Sequence, residues 1–445
     1  MVERTEGKMG GPTRSWPRNA HRRHRRAIGG ANPIDFDALR RWLAAAAAAV
    51  TALGCDVPPA PGSTGAVDAA TGPCGRGVVV SSSGSDFAST NISLTNLQGD
   101  PLSESFLSSG SAPAGISAAL SGDVVLPLQT PPSGRVVLLD RQNATITWAD
   151  PLTAAVTGQM SVATGFPSNP HDYCEVGGNK AYVSRYQSNP NPGQHPMDEG
   201  GDLLIVDTVQ RKATGSVALP ADAPRRPFPD RIVVSGSVAI VALHLFEPGY
   251  RNPADGKLVG VSVDTDAIVW TVDLRGLSNC SGMAVAPSAT RLAISCTGGL
   301  QDPVQVAMQH SGVVLVDLTQ QPPVQLRSYP ANSALGAVIG PSLGFLSETL
   351  LITKTYGDAN AGTGDQIVAL DTVSGEMQIA GQTHSPFMLG DVRCGAACKA
   401  PCLVADAEQG ALRRFRIASG PWPDSMIDVK VDTLTGMPPR YLGGY

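Results

Sequence analysis

The sequence predicts an all-β fold, a single β-propeller of about seven four-stranded blades, and three observations carry that expectation. One strand pattern returns seven times between residue 78 and the C-terminus. With 49 Gly and 36 Pro against 16% charged residues, the chain turns often and builds short strands in preference to long helices. A hydrophobic share of 42% suffices for a sizeable core.

The repeating unit reads Gly-x-apolar-apolar-x-apolar-Asp. Its clearest copies are Gly134 to Asp140, Gly201 to Asp207 and Asp365 to Asp371, with variants at Gly256 to Ser262, Ser311 to Asp317 and Gly410 to Arg416 and a weaker copy at Thr90 to Asn96. The copies recur on average every ~53 residues, close to the period of a four-stranded blade. Lys180 to Arg185 and Val238 to His244 read as the strand before a copy, and Ala213 to Leu219 and Ala267 to Leu274 as the strand after it. Arg231 to Ser235 and Met283 to Pro287 supply an innermost fourth strand. No such strand precedes the first copy, so the two chain ends are expected to meet in one shared blade. A closed ring also removes the free edges that so many strands would otherwise expose. Solenoid rungs are too short for this period, and a pair of sandwiches would not give seven copies. Asp140, Asp207, Asp317 and Asp371 recur at strand ends, where a carboxylate accepts bonds from local backbone amides; they read as turn residues.

The strand order resembles the YVTN-type propellers, a broad group of exported bacterial proteins that includes surface lipoproteins. The resemblance covers nearly the whole body and implies fold and export; it does not fix a function.

The chain divides into a basic leader and signal over 1–54, a tether over 55–76 and the propeller over 77–445. Arg40-Arg41-Trp42-Leu43, six alanines and Val50 to Cys55 have the order of an export signal, positive charge then a short apolar run then small residues. The run falls short of the roughly 20 residues that span a bilayer. Ala52-Leu53-Gly54-Cys55 resembles a lipobox, which would make Cys55 the lipidated N-terminus of a protein held at the bacterial cell envelope, on the outer membrane or its periplasmic face; a plain secretory signal is the competing reading. Asp56 to about Thr71 is rich in Pro, Ala and Gly and cannot bury enough surface to order itself. Ten of the 33 Lys and Arg residues fall in the first 41 positions and the net charge is only −5, which argues against nucleic-acid binding by the body.

In an exported chain the cysteines are expected to be oxidised. Cys280 and Cys296 flank one hairpin and should cross-link it, and Cys394 and Cys402 are expected at a similar place in the last blade. Cys74 could reach Cys398 if the ends meet, leaving Cys174 as a buried thiol. Zinc on Cys394, Cys398 and Cys402 is the weaker alternative, because their spacing is not that of paired zinc ligands. The site expectation therefore includes no metal and no cofactor.

Propeller loops that lead into innermost strands and those that join second to third strands share one face. The latter are long here, at Tyr186 to Gly200, Leu245 to Asp255, Thr297 to His310 and Thr355 to Gly364, and long loops in a compact repeat are commonly functional. The repeat places His171, Asp172, Asp230, Arg231 and Asp391 ahead of innermost strands, and Arg185, His244 and Lys354 after second strands, as a candidate ligand-binding rim. Two Asp-rich loops, Asp198 to Asp202 and Gly357 to Asp365, read as solvated turns in preference to calcium sites. No phosphate-loop or His-Glu-x-x-His motif occurs. The expected function is a monomeric, lipid-anchored scaffold that binds a protein, glycan or small molecule and touches the membrane through its lipid alone. The alternative is a lactonase-like or quinone-dependent dehydrogenase-like enzyme with His171, Asp172, Arg185 and Lys354 around a cofactor or divalent ion.

Overall fold

A computed structural model describes residues 74–331, 335–417, 422–423 and 425–445. The leader, Cys55 and nearly all of the tether lie outside them.

Seven four-stranded antiparallel sheets make the blades. Blade 1 contains β1 (Gly77–Ser83), β2 (Thr90–Asn96) and β3 (Pro101–Ser108); blade 2, β4 (Val124–Val125), β5 (Val136–Asp140), β6 (Thr145–Ala149) and β7 (Val156–Ser161). Blade 3 is β8 (Pro170–Gly177), β9 (Lys180–Ser188), β10 (Gly200–Asp207) and β11 (Lys212–Ala218); blade 4, β12 (Pro229–Ser235), β13 (Val238–Leu243), β14 (Asp255–Ser262) and β15 (Ile268–Ser278). Blade 5 is β16 (Cys280–Val285), β17 (Arg291–Cys296), β18 (Gly312–Asp317) and β19 (Val324–Pro330); blade 6, β20 (Val338–Phe345), β21 (Leu350–Tyr356), β22 (Gln366–Asp371) and β23 (Met377–Gln382). Blade 7 is β24 (Leu389–Cys394), β25 (Cys402–Asp406), β26 (Ala411–Arg416) and β27 (Ser425–Val429), after which β28 (Pro439–Gly444) returns to blade 1.

Middle strands are covered on both sides by neighbouring blades, which is why they are near-continuous apolar runs such as Val136 to Leu139, Leu203 to Val206 and Val313 to Val316. Outermost strands face solvent and alternate, as in β11. The core lies between blades; one cluster joins Val137, Leu139 and Trp148 of blade 2 to Tyr173, Val183 and Leu204 of blade 3.

The two chain ends share a blade as expected. The innermost strand of blade 1 is β28, paired with β1 through Val78 and Gly444, Val80 and Leu442, and Ser81 and Tyr441. Cys74 is bonded to Cys398 of blade 7, reinforcing the junction.

Blade 2 departs from the expected register. Six of the seven copies form third strands, but Gly134 to Asp140 ends in β5, a second strand. The third strand is β6, which ends at Ala149, close to midway between Asn96 and Asp207. Residue type misled the pattern: both strands are fully buried, but β5 carries the apolar run Val-Val-Leu-Leu-Asp typical of third strands, whereas β6 reads Thr-Ile-Thr-Trp-Ala. Asp140 still caps a turn, accepting bonds from the Ser121 and Asn143 amides, and Asp207, Asp317 and Asp371 accept from the amides two residues on.

The Cys280–Cys296 and Cys394–Cys402 disulfides are present and Cys174 is a buried free thiol. Their placement differs from the expectation. Cys280 begins β16 while Cys394 ends β24, so the two bridges lie on opposite faces of the ring.

Candidate functional site

The face that carries the β9–β10, β13–β14, β17–β18 and β21–β22 loops, here the upper face, opens into a central cavity of about 380 Å³. Six of the eight rim residues line it: His171, Asp230, Arg231, His244, Lys354 and Asp391. They lie inside the first residues of β8, β12 and β24 or near the end of second strands, so innermost strands carry them to the axis instead of preceding loops.

Asp230 is the centre of the polar network. One carboxylate oxygen is 3.0 Å from His171 Nδ1 and the other 3.0 Å from His244 Nε2; His244 Nδ1 meets the Asn279 side chain. Burial raises the Asp230 pKa, but His171 and then His244 outweigh it and hold the carboxyl well below its ordinary range. Burial lowers the His171 pKa against the pull of Asp230. Asp230 accepts from His171 Nδ1–H, and His171 Nε2 has no partner among the described residues. Buried Tyr186 fixes both rings, stacking on His171 at 4.0 Å and meeting His244 edge-on at 5.3 Å.

Cations outnumber carboxylates around the cavity. Arg231 Nη1 donates to Leu126 O (3.1 Å), and the guanidinium sits 3.9 Å from Asp230 and 3.7 Å from Asp391. Burial would lower its pKa; Asp391, Asp172 and Asp230 together raise it. Lys354 Nζ donates to Leu389 O at 2.5 Å, with burial pushing its pKa down. Its stem passes Gly340, where a Cβ would stand 2.9 Å from Lys354 Cγ, so a larger residue would displace the lysine.

Arg141, Arg440, Tyr356, Tyr441, Phe87 and Phe387 also line it, and sequence reasoning missed them. Arg141 Nε donates to Asp123 (2.9 Å) and Nη2 to the Tyr441 hydroxyl (3.0 Å). A signal for Arg141 existed: with β5 read as a second strand, Arg141 follows it just as His244 follows β13. Phe87 and Phe387 stand 43% and 57% exposed at the mouth with φ of 51° and 60°. Left-handed backbone is uncommon for such bulky residues and concentrates at functional sites.

Two expected residues do not reach the cavity. Asp172 points away from His171, as neighbours on a strand must, and accepts from the amides of Leu128, Tyr173 and Ile232 at 2.8–2.9 Å, tying blades 2, 3 and 4 together. Burial pushes its pKa up to about 6 against the pull of Arg231 and those amides. Arg185 faces Asp202 across the β9–β10 ladder and pairs with it through two bonds of 2.7 and 2.5 Å. Thr164 and the Met197 carbonyl take its remaining donors, and the side chain is fully buried. The constellation of His171, Asp172, Arg185 and Lys354 therefore does not assemble.

Within the Asp-rich loops Asp198 and Asp365 are not solvated, whereas Glu199 is exposed. Asp198 is buried and accepts from the amides of Gly193, Gln194 and His195; buried Asp365 accepts from those of Gly357, Phe387, Met388 and Leu389. Backbone amides gathered in a long loop recruit a carboxylate as readily as a cation would. Gly340-Pro341-Ser342-Leu343-Gly344 matches the nucleophile pattern Gly-x-Ser-x-Gly, yet Ser342 lies within β20 and bonds the Val392 backbone, so it serves structure.

No family model matches the chain, and no curated protein matches it. Solved structures do. A candidate 6-phosphogluconolactonase from Bacteroides fragilis aligns over 83% of this chain and 97% of its own at 11% identity and a TM-score of 0.51. A protein from Lactobacillus plantarum aligns over 82% and 98% at 12% identity and 0.51. Hydrazine synthase of Kuenenia stuttgartiensis aligns over 74% and 93% at 12% identity and 0.50. At these identities the likeness establishes the propeller fold alone.

Proposed function

We propose that the protein is an exported, lipid-anchored propeller that binds a small anionic molecule in the upper cavity. The carrying observation is the charge balance of that cavity: Arg231, Lys354 and Arg440, together with Arg141 already paired to Asp123, converge on it against the carboxylates of Asp230 and Asp391. The volume falls within the range of roughly 300–1,000 Å³ typical of ligand sites. Arg231 is held near its two carboxylates at more than 3.5 Å, so an incoming carboxylate or phosphate gains a guanidinium that has not already closed a short ion pair. His171 Nε2 offers one further polar contact. Asp230 behind His171 is also what a general base requires, but with Asp172 and Arg185 engaged elsewhere, binding is the reading the geometry favours.

The test is calorimetric titration with citrate and with inorganic phosphate. The wild type is expected to bind at least one of them, and Arg231→Gln with Lys354→Gln to weaken it by tenfold or more. Equal binding by wild type and variant, or no binding of either probe, overturns the proposal.

Three disulfides among the described cysteines support an oxidising compartment, and the sequence ahead of Cys55 supplies the signal. Metabolic labelling with a palmitate analogue is expected to mark the wild type and to be lost in Cys55→Ala. Equal labelling of both would end the lipid-anchor part of the proposal.

A further inference from the structure

The opposite mouth of the central channel holds a second, larger cavity of about 660 Å³. The ends of the innermost strands build it, and Arg231, Pro341 and Asp391 form the wall it shares with the upper cavity. The two have different chemistry. Val233, Met283, Val285, Leu343, Phe345 and Leu442 give the lower one apolar walls, and Ala284, Ala286, Ala396 and Ala400 keep it wide.

Into this largely apolar space, which Gln129, Thr130, Ser235 and Ser342 also line, projects Arg393, from the end of β24. Its Nη1 donates to Leu128 O at 3.0 Å and its Nη2 to Thr130 Oγ1 at 2.6 Å. No carboxylate of the described residues lies within ion-pair distance of it, and Nε has no partner among them. The two acidic side chains in the lining are engaged elsewhere. Asp391 sits by Arg231, and Glu175 accepts from Ser133 and the Tyr173 hydroxyl. Burial pushes the Arg393 pKa down to about 10 against the pull of Asp391, which leaves the side chain charged at neutral pH. Gly444 of β28 leaves room for the guanidinium: a Cβ there would lie 2.2 Å from Arg393 Nη2.

A guanidinium among largely apolar walls with no carboxylate at ion-pair distance is costly unless something answers it. We infer that the lower mouth is a second ligand site, for an amphipathic acid whose apolar body fills the cavity and whose carboxylate or sulfonate head bonds Arg393. This inference is independent of the upper-cavity proposal, since it rests on different residues and a different ligand chemistry.

Titration of the full chain with dodecanoate, below its micelle concentration, and with dodecan-1-ol separates head from tail. The unaltered protein is expected to bind one dodecanoate and to bind the alcohol at least tenfold more weakly. Arg393→Leu should bring dodecanoate down to the level of the alcohol, and Ala284→Trp should weaken both by filling the cavity. The comparison of acid with alcohol needs no variant, so it stands even if Arg393→Leu folds poorly. Equal affinity for acid and alcohol overturns the inference, as does absence of dodecanoate binding. Loss of dodecanoate binding in Lys354→Gln together with its retention in Arg393→Leu overturns it too, by placing the acid in the upper cavity.

Discussion

Truncation after Pro438, which removes β28, is expected to abolish the cooperative thermal transition of the intact chain. The strand is the innermost member of blade 1 and supplies the ladder to β1 together with buried Leu442 and Tyr445. Each of those side chains is worth about 1.5–3 kcal/mol on burial and each backbone bond about 0.5–1.5 kcal/mol. Their sum exceeds ~5 kcal/mol, comparable with the whole stability of many domains. Loss of β28 also leaves β1 as an open innermost edge facing the channel. Circular dichroism melts and limited proteolysis should show a broad transition and rapid cleavage. A truncated chain that melts cooperatively within a few degrees of the full one would show that the ring does not depend on this closure.

The second large effect is expected at Arg185 and Asp202. Asp202→Ala leaves a fully buried guanidinium without its carboxylate, and such a loss costs about 3–5 kcal/mol. Burial pushes the Asp202 pKa up while Arg185 pulls it down, so the pair holds together in a medium that favours neither charge alone. Replacing both, as Arg185→Met with Asp202→Leu, should recover most of the loss, because no unpaired charge then remains. Denaturant unfolding of the three variants measures this. If Asp202→Ala unfolds at the wild-type midpoint, the pair is not structural and Arg185 returns as a candidate for ligand contact.

How far the site was legible follows from what each residue's neighbours are. His171, Asp230, Arg231, His244, Lys354 and Asp391 were placed at the channel by the repeat, because strand order and strand ends are properties of local sequence. Asp172 and Arg185 occupy equally suitable positions in that pattern. Their partners, the amides of Leu128 and Ile232 and the carboxylate of Asp202, lie 17 to 60 residues away in sequence, and no local rule distinguishes a charge that meets a partner from one that meets a ligand. Arg141 was hidden by the register of blade 2, and Arg440 and Tyr441 by their position in a strand that belongs to the first blade.

The sequence by itself determined the seven-bladed propeller, the meeting of its ends, the pairing of Cys280 with Cys296 and of Cys394 with Cys402, and the face on which polar residues gather, because short-range alternation and spacing encode strands and their order. Only the tertiary structure decided which charges are consumed in structural pairs, which converge on the upper cavity, and that Arg393 stands in a second one beyond ion-pair distance of any carboxylate among the described residues. Those facts depend on contacts between blades far apart in the chain, set by how the ring closes and by burial that no single blade possesses.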